Sequence, residues 1–230
     1  MVVWIIYTGD RLLDTRKQDN SPKTARHQFH RKNSKYLLTT LILLALVVLF
    51  ILPLLPLITV AYGVGLLLMV VGYFTFLVLL KSDTLLKEPI IAILYTCGVA
   101  LPALSLAIPD GRMIFILAQH SIFAFLNLML ISYYEVDVDT ASGHDSLASK
   151  LGKKRTVALM NYTLWLLLLT MVVYLILFPG MFSLFIQATF LSIWMIFYFI
   201  KTSTGYFSQY ERYRAWADLS FWIPGWILLL

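Results

Sequence analysis

Repeated apolar runs, several of them close to the length of one membrane span, are the feature that most constrains this fold. The runs near 57–80, 156–177 and 181–200 each approach the ~20 residues that a helix needs to cross a hydrocarbon layer of about 30 Å. With 60% hydrophobic and only 13% charged residues, the chain is far more apolar than a soluble domain of its size. The sequence therefore predicts one all-α integral-membrane domain over residues 1–230.

Seven complete spans and one partial span are predicted from the prolines and polar segments that interrupt the apolar runs. The first nine residues would form a helix of roughly 13 Å, which covers less than half of a bilayer. Pro53 and Pro56 suit a tight turn between two antiparallel spans, and Pro179 with Gly180 interrupts a later run. After the N-terminal segment, the predicted helices cover residues 36–51, 57–80, 89–109, 113–133, 156–177, 181–200 and 213–230.

The Lys and Arg residues are distributed as membrane orientation requires, so the net charge of +6 does not indicate a nucleic-acid partner. In short loops of membrane proteins these residues accumulate on the cytoplasmic side. If the first polar segment is cytoplasmic, all but one of the 18 Lys and Arg residues lie on that side, and Arg112 is the exception. The two longest polar segments, 10–35 and 135–155, are then both cytoplasmic loops.

Two groups of carboxylates lie in these segments, each at a predicted helix end. Asp10 and Asp14 are four residues apart, as are Glu135 and Asp139, with Asp137 between the second pair. On a helix this spacing places both carboxylates of a pair on one face, about 5 to 6 Å apart at Cβ, where a cation would offset their repulsion. Oxygen ligands without a Cys or His cluster indicate Mg²⁺ and not zinc.

The second acidic group continues into a longer pattern. Its residues are Glu135-Val136-Asp137-Val138-Asp139, then Gly143, Ser146-Leu147-Ala148 and Leu151-Gly152-Lys153. This pattern resembles the second aspartate motif of the UbiA-type membrane prenyltransferases, D-x-E-x-D-x-x-x-G followed by T/S-L and L-G. Asp10 and Asp14 resemble the end of that family's first motif, N-x-x-x-D-x-x-x-D. Four predicted helices separate the two motifs and three follow the second, as in the family.

The resemblance implies a nine-helix bundle, compared with which this chain lacks the first helix and most of the second, as in an N-terminally truncated member. It implies the transfer of an isoprenoid chain from a prenyl diphosphate to an aromatic or other lipophilic acceptor inside the bilayer, with Mg²⁺ as cofactor. The implied partners are these two substrates and the lipid bilayer. The oligomeric state stays open.

The resemblance also implies roles for individual residues. Metal ligands would neutralise the departing diphosphate, cations would hold its remaining oxygens, and aromatic rings would stabilise the allylic cation. The catalytic residues are then Asp10, Asp14, Glu135 and Asp139, with Asp137 as a further metal ligand; the diphosphate-binding residues are Lys23, Arg26 and Lys150; and the substrate cavity includes Tyr7, Tyr133 and Tyr134.

Three positions depart from the family pattern. Ile6 stands where the first motif has Asn, Glu135 replaces the leading Asp of the second motif, and Asp145 stands where many members have a basic or neutral residue. The Glu135 replacement keeps a carboxylate, whereas Ile6 and Asp145 affect the affinity for diphosphate. A catalytically silent family member is therefore an alternative.

A small-molecule transporter or a membrane scaffold is the alternative from another class. Polar residues inside predicted spans mark either a transport pathway or interhelical hydrogen bonds. These residues are Gln119, His120, Asn127 and Gln187. Transporters place their key polar groups near the bilayer midplane, whereas the densest carboxylates here lie at one membrane face, which favours the enzyme. Four histidines are too few for a membrane di-iron site, and the single Cys97 has no disulfide partner.

Overall fold

The structure is a computed structural model. It describes the following residues: Thr8, Phe29, 32–80, 85–142 and 146–224, with the backbone alone for 74, 76–80 and 142. Within these residues the fold is all-helical and contains no β-strand, which confirms the predicted fold class. The packing of the backbone divides the chain into two units, Met1–Tyr62 and Gly63–Leu230.

The first unit contains helix α1, Ser34–Ile51, which a 3₁₀ turn at Leu52–Leu54 ends. Pro53 lies in this turn, and Pro56 directly precedes helix α2, Leu57–Leu80. The prolines therefore interrupt the apolar run where the sequence predicts a turn. No side chain of α1 is buried, which suits an apolar helix in contact with lipid.

The second unit begins within α2 and contains the remaining helices. They are α3 (Lys87–Leu106), α4 (Gly111–Ser142), α5 (Leu147–Leu151), α6 (Lys153–Leu177), α7 (Met181–Thr202), α8 (Thr204–Phe207), a 3₁₀ turn (Gln209–Glu211) and α9 (Arg212–Ser220). Helix α4 is the central element of this unit, because α3, α5, α6, α7 and α9 all pack against it.

Large apolar side chains of α4, α6 and α7 form the core of the second unit. Phe123, Met160, Ile193 and Phe197 are all essentially buried in it. The ring of Phe123 stacks on Phe190 with 5.5 Å between the ring centroids. At the start of α4, Asp110 Oδ1 accepts a 2.8 Å hydrogen bond from the Met113 amide, which caps the helix.

Polar residues inside the spans mostly pair between helices. The side-chain amides of Gln119 on α4 and Gln187 on α7 donate to each other at 3.1 Å in both directions. His120 Nδ1 lies 3.0 Å from Thr96 Oγ1 of α3. Asn127 Oδ1 is buried and has no hydrogen-bond partner among the described residues. Three of the four polar residues therefore join helices, which is a common use of such groups in membranes.

Five helices among the described residues are long and apolar enough to cross a membrane. They are Ser34–Leu54, Lys87–Leu106, Gly111–Ala141, Lys153–Leu177 and Met181–Thr202, and Leu57–Tyr73 is a shorter apolar helix. These helices support a multi-pass bundle, and six of the seven predicted complete spans overlap them.

The predicted span over 213–230 needs a correction, because α9 ends at Ser220 and a turn follows it. Helix α9 has nine residues, and Arg212, Arg214 and Asp218 are among them. It is too short and too polar to cross a hydrocarbon layer. Its inner side packs on α4 and α7 instead, with Tyr213 and Ala217 buried.

Helix α4 continues to Ser142, past its predicted end at Tyr133. Its 32 residues have a length of roughly 48 Å at 1.5 Å per residue, so its acidic end extends beyond a hydrocarbon layer of about 30 Å. Polar composition suggested a loop here, but Val136 is buried and keeps this part of the helix packed. The second acidic motif therefore lies on a helix.

Candidate functional site

The acidic end of α4 presents its carboxylates on two different faces. Glu135 and Asp139 are one helical turn apart and share a face. Asp137 is two residues from each, which on an α-helix is a rotation of roughly 200°. No group of three or more His, Cys, Asp or Glu side chains that could hold a metal ion occurs among the described residues.

Glu135 is held by two side chains of helix α9. Tyr213 Oη donates a 2.8 Å hydrogen bond to Glu135 Oε1, and the Arg214 guanidinium forms an ion pair with the same oxygen. The side chains of Glu135 and Arg214 are 21% and 20% exposed. A charge-assisted contact with this degree of burial is stronger than an ion pair in full contact with water.

Arg214 lies between two carboxylates. Besides its ion pair with Glu135, its Nε is 3.5 Å from Glu211 Oε2 and donates a 3.3 Å hydrogen bond to Tyr213 Oη. Burial raises the pKa of the Asp218 carboxyl above its ordinary value, and the Arg214 guanidinium partly opposes that rise. The positive charge of Arg214 is thus shared among acidic groups on α9 and α4.

The backbone that leads into α9 is strained. Tyr210 and Glu211 have φ values of +53° and +55°, in the left-handed region. This conformation costs an L-residue about 1–2 kcal/mol. The chain changes direction here between the 3₁₀ turn and α9, and the new direction places Tyr213 and Arg214 against α4. Packing of α9 offsets the local cost.

Asp137 has a different environment from Glu135. Lys153 Nζ, at the start of α6, donates to both of its carboxylate oxygens, at 2.9 and 3.2 Å. The side chain of Asp137 is 83% exposed and that of Lys153 is 51% exposed. An ion pair this open to solvent contributes about 0–1 kcal/mol. Asp137 therefore belongs to the outer face of the acidic end.

The motif residues after the acidic group form the connection from α4 to α6. Ser146 caps helix α5, because its Oγ accepts from the Ser149 amide while Ser149 Oγ accepts from the Ser146 amide. Gly152 joins α5 to α6 with φ +80°, a conformation that glycine adopts without strain. Leu147 is buried in the core. The spacing of these residues therefore fits their places in the connection: a helix cap, a buried side chain and a glycine turn.

Two buried side chains fix this connection in place. Glu88, at the start of α3 and only 8% exposed, accepts a 2.9 Å hydrogen bond from the Leu147 amide. Ser132 Oγ on α4 accepts a 2.8 Å hydrogen bond from the Ala148 amide. Both bonds satisfy amides at the first turn of α5, which have no partner within that helix. The segment is thereby anchored to α3 and α4.

Tyr133 and Tyr134 lie directly before the acidic group. The Tyr134 ring stacks on the Tyr213 ring with 4.3 Å between centroids and 3° between planes. Its hydroxyl donates a 2.7 Å hydrogen bond to the Ile200 carbonyl. Tyr133 contacts Tyr134 edge-on at 5.5 Å. Tyr134 thus joins α4 to α7 and α9, and a role for either ring in a substrate cavity stays a prediction.

The remaining predicted site residues divide into described and undescribed ones. Lys150 is half-buried in the last turn of α5, two residues before Gly152. The other predicted residues lie outside the described part of the chain: Tyr7, Asp10, Asp14, Lys23 and Arg26. The departures at Ile6 and Asp145 also lie outside it.

The described carboxylates fit Mg²⁺ by their chemistry. This ion prefers oxygen ligands and takes one or two carboxylates from a protein, and Glu135 with Asp139 supplies two from one helix face. The contacts of Glu135 with Tyr213 and Arg214 are both made through Oε1. A metal ion at Glu135 would therefore compete with the Arg214 charge.

Four residues of this site are not predicted from the sequence: Glu88, Ser132, Tyr213 and Arg214. A signal existed for Arg214, because the Lys and Arg pattern places it on the same membrane side as Glu135. The repulsion between Glu135 and Asp139 also indicates a nearby positive charge, which would offset it. No local signal pairs Glu88 with Leu147, since 59 residues separate them.

Comparison with families of known proteins matches residues 8–222 to the UbiA prenyltransferase family. The matched range contains the acidic end of α4 and all of α9. Comparisons with curated proteins and with solved structures give no match.

Proposed function

Because this chain belongs to the UbiA prenyltransferase family, we propose that it transfers an isoprenoid chain from a prenyl diphosphate to an aromatic or other lipophilic acceptor. The family is one of membrane prenyltransferases, and the apolar helices make this chain a multi-pass integral membrane protein. The single observation that carries the proposal is the family match over residues 8–222. The matched range includes Asp10, Asp14 and the whole second acidic motif.

The acidic end of α4 supplies one part of the proposed diphosphate site. Glu135 and Asp139 share a helix face and are suited to hold Mg²⁺. When bound, Mg²⁺ supplies positive charge against the diphosphate. Asp10 and Asp14 are added to this ligand set from the sequence motif alone. Asp137 pairs with Lys153 on the outer face, so we assign it a lesser part than the sequence predicts.

The reaction breaks the bond between the allylic carbon and the diphosphate oxygen, and the electron pair leaves with the diphosphate. The acceptor forms a new bond to the allylic carbon and gives its proton to the diphosphate or to water. Lys150, with Lys23 and Arg26 from the sequence prediction, would bind diphosphate oxygens. Tyr7, Tyr133 and Tyr134 are proposed to face the allylic cation.

The proposed site opens on the cytoplasmic side. This orientation follows from the Lys and Arg pattern of the sequence, and the extension of α4 beyond the length of a hydrocarbon layer supports an acidic end in water. A transporter is less well supported, because the side chains of Gln119 and Gln187 are buried and hydrogen-bond to each other.

A binding and turnover assay tests the proposal. The purified chain in lipid nanodiscs is given radiolabelled prenyl diphosphates of several lengths, with and without Mg²⁺. We expect prenyl diphosphate binding that depends on Mg²⁺. In the Glu135→Gln variant, kcat/KM should fall about 100-fold, because a ligand of the charge-stabilising ion is removed. Wild-type protein that binds no prenyl diphosphate in the presence of Mg²⁺ would rule the function out.

Two further variants sharpen the assay. Asp110→Asn changes a carboxylate at the opposite end of α4 and keeps a cap oxygen for Met113, so it serves as the control. Asp137→Asn measures the predicted metal role of Asp137, and the ion pair with Lys153 leads us to expect a loss below about threefold. A loss as large as that of Glu135→Gln would return Asp137 to the ligand set.

A further inference from the structure

Arg214 occupies an unusual position for a residue that only orients the protein in the membrane. Its guanidinium contacts Glu135 of α4 and approaches Glu211 of its own segment. It is about one-fifth exposed, so solutes that arrive at this membrane face can reach it. The strained turn at Tyr210 and Glu211 directs it there.

The charges around Arg214 change when a metal ion binds. Glu135 and Glu211 both lie near the positive charge of Arg214, and Asp218 also interacts with it. A carboxylate that shares its charge with a guanidinium binds Mg²⁺ less well, since the two cations compete for it. If Glu135 binds Mg²⁺, Arg214 loses one of its anionic partners and can bind another anion in its place.

The guanidinium suits a phosphate as its next partner. It is planar, keeps its charge at all ordinary pH values, and presents paired N–H donors that match two phosphate oxygens. A prenyl diphosphate brings several negative charges to the same place as the metal ion. The ligand that the proposed function requires is thus of the kind that Arg214 would accept.

We propose that Arg214 is the counter-ion of Glu135 in the unliganded protein and becomes a diphosphate-binding residue when Mg²⁺ takes its place. This inference rests on the proposed function and deepens it. Tyr213 stays hydrogen-bonded near Glu135 and positions the carboxylate during the exchange. The exchange couples the two ligands, because each is bound better when the other is present.

Isothermal titration calorimetry of the full chain in nanodiscs tests the exchange by measuring the affinities for two probes. The first is Mg²⁺ alone, and the second is inorganic pyrophosphate in saturating Mg²⁺. In Arg214→Gln we expect Mg²⁺ alone to bind about tenfold more tightly, because its competitor is gone. We expect pyrophosphate to bind about tenfold more weakly, because a charge-assisted contact is lost.

Two other variants serve as controls. Arg212→Gln removes the same charge two residues earlier, where the guanidinium lies over the rings of Tyr206 and Tyr210, and should change either affinity by less than about twofold. Arg214→Lys keeps the charge and loses the paired donors. It should shift both affinities in the same directions as Arg214→Gln, by a smaller factor, and it gives a measurement if the Gln variant does not fold.

Tighter binding of Mg²⁺ together with weaker binding of pyrophosphate in Arg214→Gln supports the exchange. If both affinities rise, Arg214 is only a competitor of the metal ion, and the inference is wrong. If both fall, or neither changes, Arg214 has a structural role and the inference is again wrong. Wild-type protein that binds no pyrophosphate in Mg²⁺ contradicts the exchange, whereas the proposed function is decided separately by the assay with prenyl diphosphates.

Discussion

Glu135 and Asp137 are two residues apart on one helix, yet their side chains differ in their partners and in their exposure. Glu135 faces α9, where a phenol and a guanidinium bind one of its oxygens. Asp137 faces outward and meets only a half-exposed lysine in the described structure, with 83% of its own side chain exposed. The comparison teaches that helix phase, and not proximity in sequence, decides which carboxylates of an acidic motif share a site.

The largest stability difference is expected between the two counter-ions. Arg214→Ala leaves the Glu135 carboxylate partly buried without its charge partner, which costs about 1.5–3 kcal/mol. Lys153→Ala removes a surface pair worth about 0–1 kcal/mol. Thermal unfolding in detergent measures both. In about 1 M salt the effect of Lys153→Ala should vanish while that of Arg214→Ala persists. Equal losses of stability that both vanish in salt would show that the ion pairs of Glu135 and Asp137 do not differ.

Two hydroxyls on α4 extend the comparison to uncharged groups. Ser132 lies on the Glu135 face and accepts from the Ala148 amide, so Ser132→Ala leaves a buried amide unsatisfied at a cost of about 1–3 kcal/mol. Thr140 is exposed and bonds the Val136 carbonyl of its own helix. Thr140→Ala should cost less than about 0.5 kcal/mol. Hydrogen exchange at Ala148 provides a direct readout, and unchanged protection in Ser132→Ala would contradict the anchoring role.

Two substitutions at one position separate the contributions of the Tyr213 hydroxyl and the Tyr213 ring. Tyr213→Phe keeps the ring stacked on Tyr134 and removes the hydroxyl that binds Glu135, which costs about 0.5–1.5 kcal/mol. Tyr213→Ala should cost more, because it also removes a buried ring. The melting temperatures of the two variants give the comparison. If both variants have the same melting temperature, the stacked ring contributes nothing to stability, and polar contacts alone hold Tyr213 against α4.

Much of the helical order follows directly from the sequence. The turns at Pro53 and at Gly180 lie where the prediction places them, because proline and glycine act on the local backbone. The end of α4 and the end of α9 were predicted wrongly. Composition alone predicts a loop for the polar stretch and a span for the apolar stretch, and neither prediction holds. Burial of Val136 and Tyr213 decides these boundaries, and burial depends on neighbours from other helices.

The candidate site divides in the same way. The spacing of Glu135 and Asp139 places them on one face of any helix that contains both, whereas the burial of Val136 decides that this segment is helical. The family match agrees with the resemblance that those residues carry. The roles of Arg214, Tyr213, Glu88 and Ser132 are decided by contacts between residues far apart in the chain, such as Glu135 and Tyr213, 78 positions apart. Spacing determines local geometry, whereas only the packed helices determine which distant charge neutralises which carboxylate.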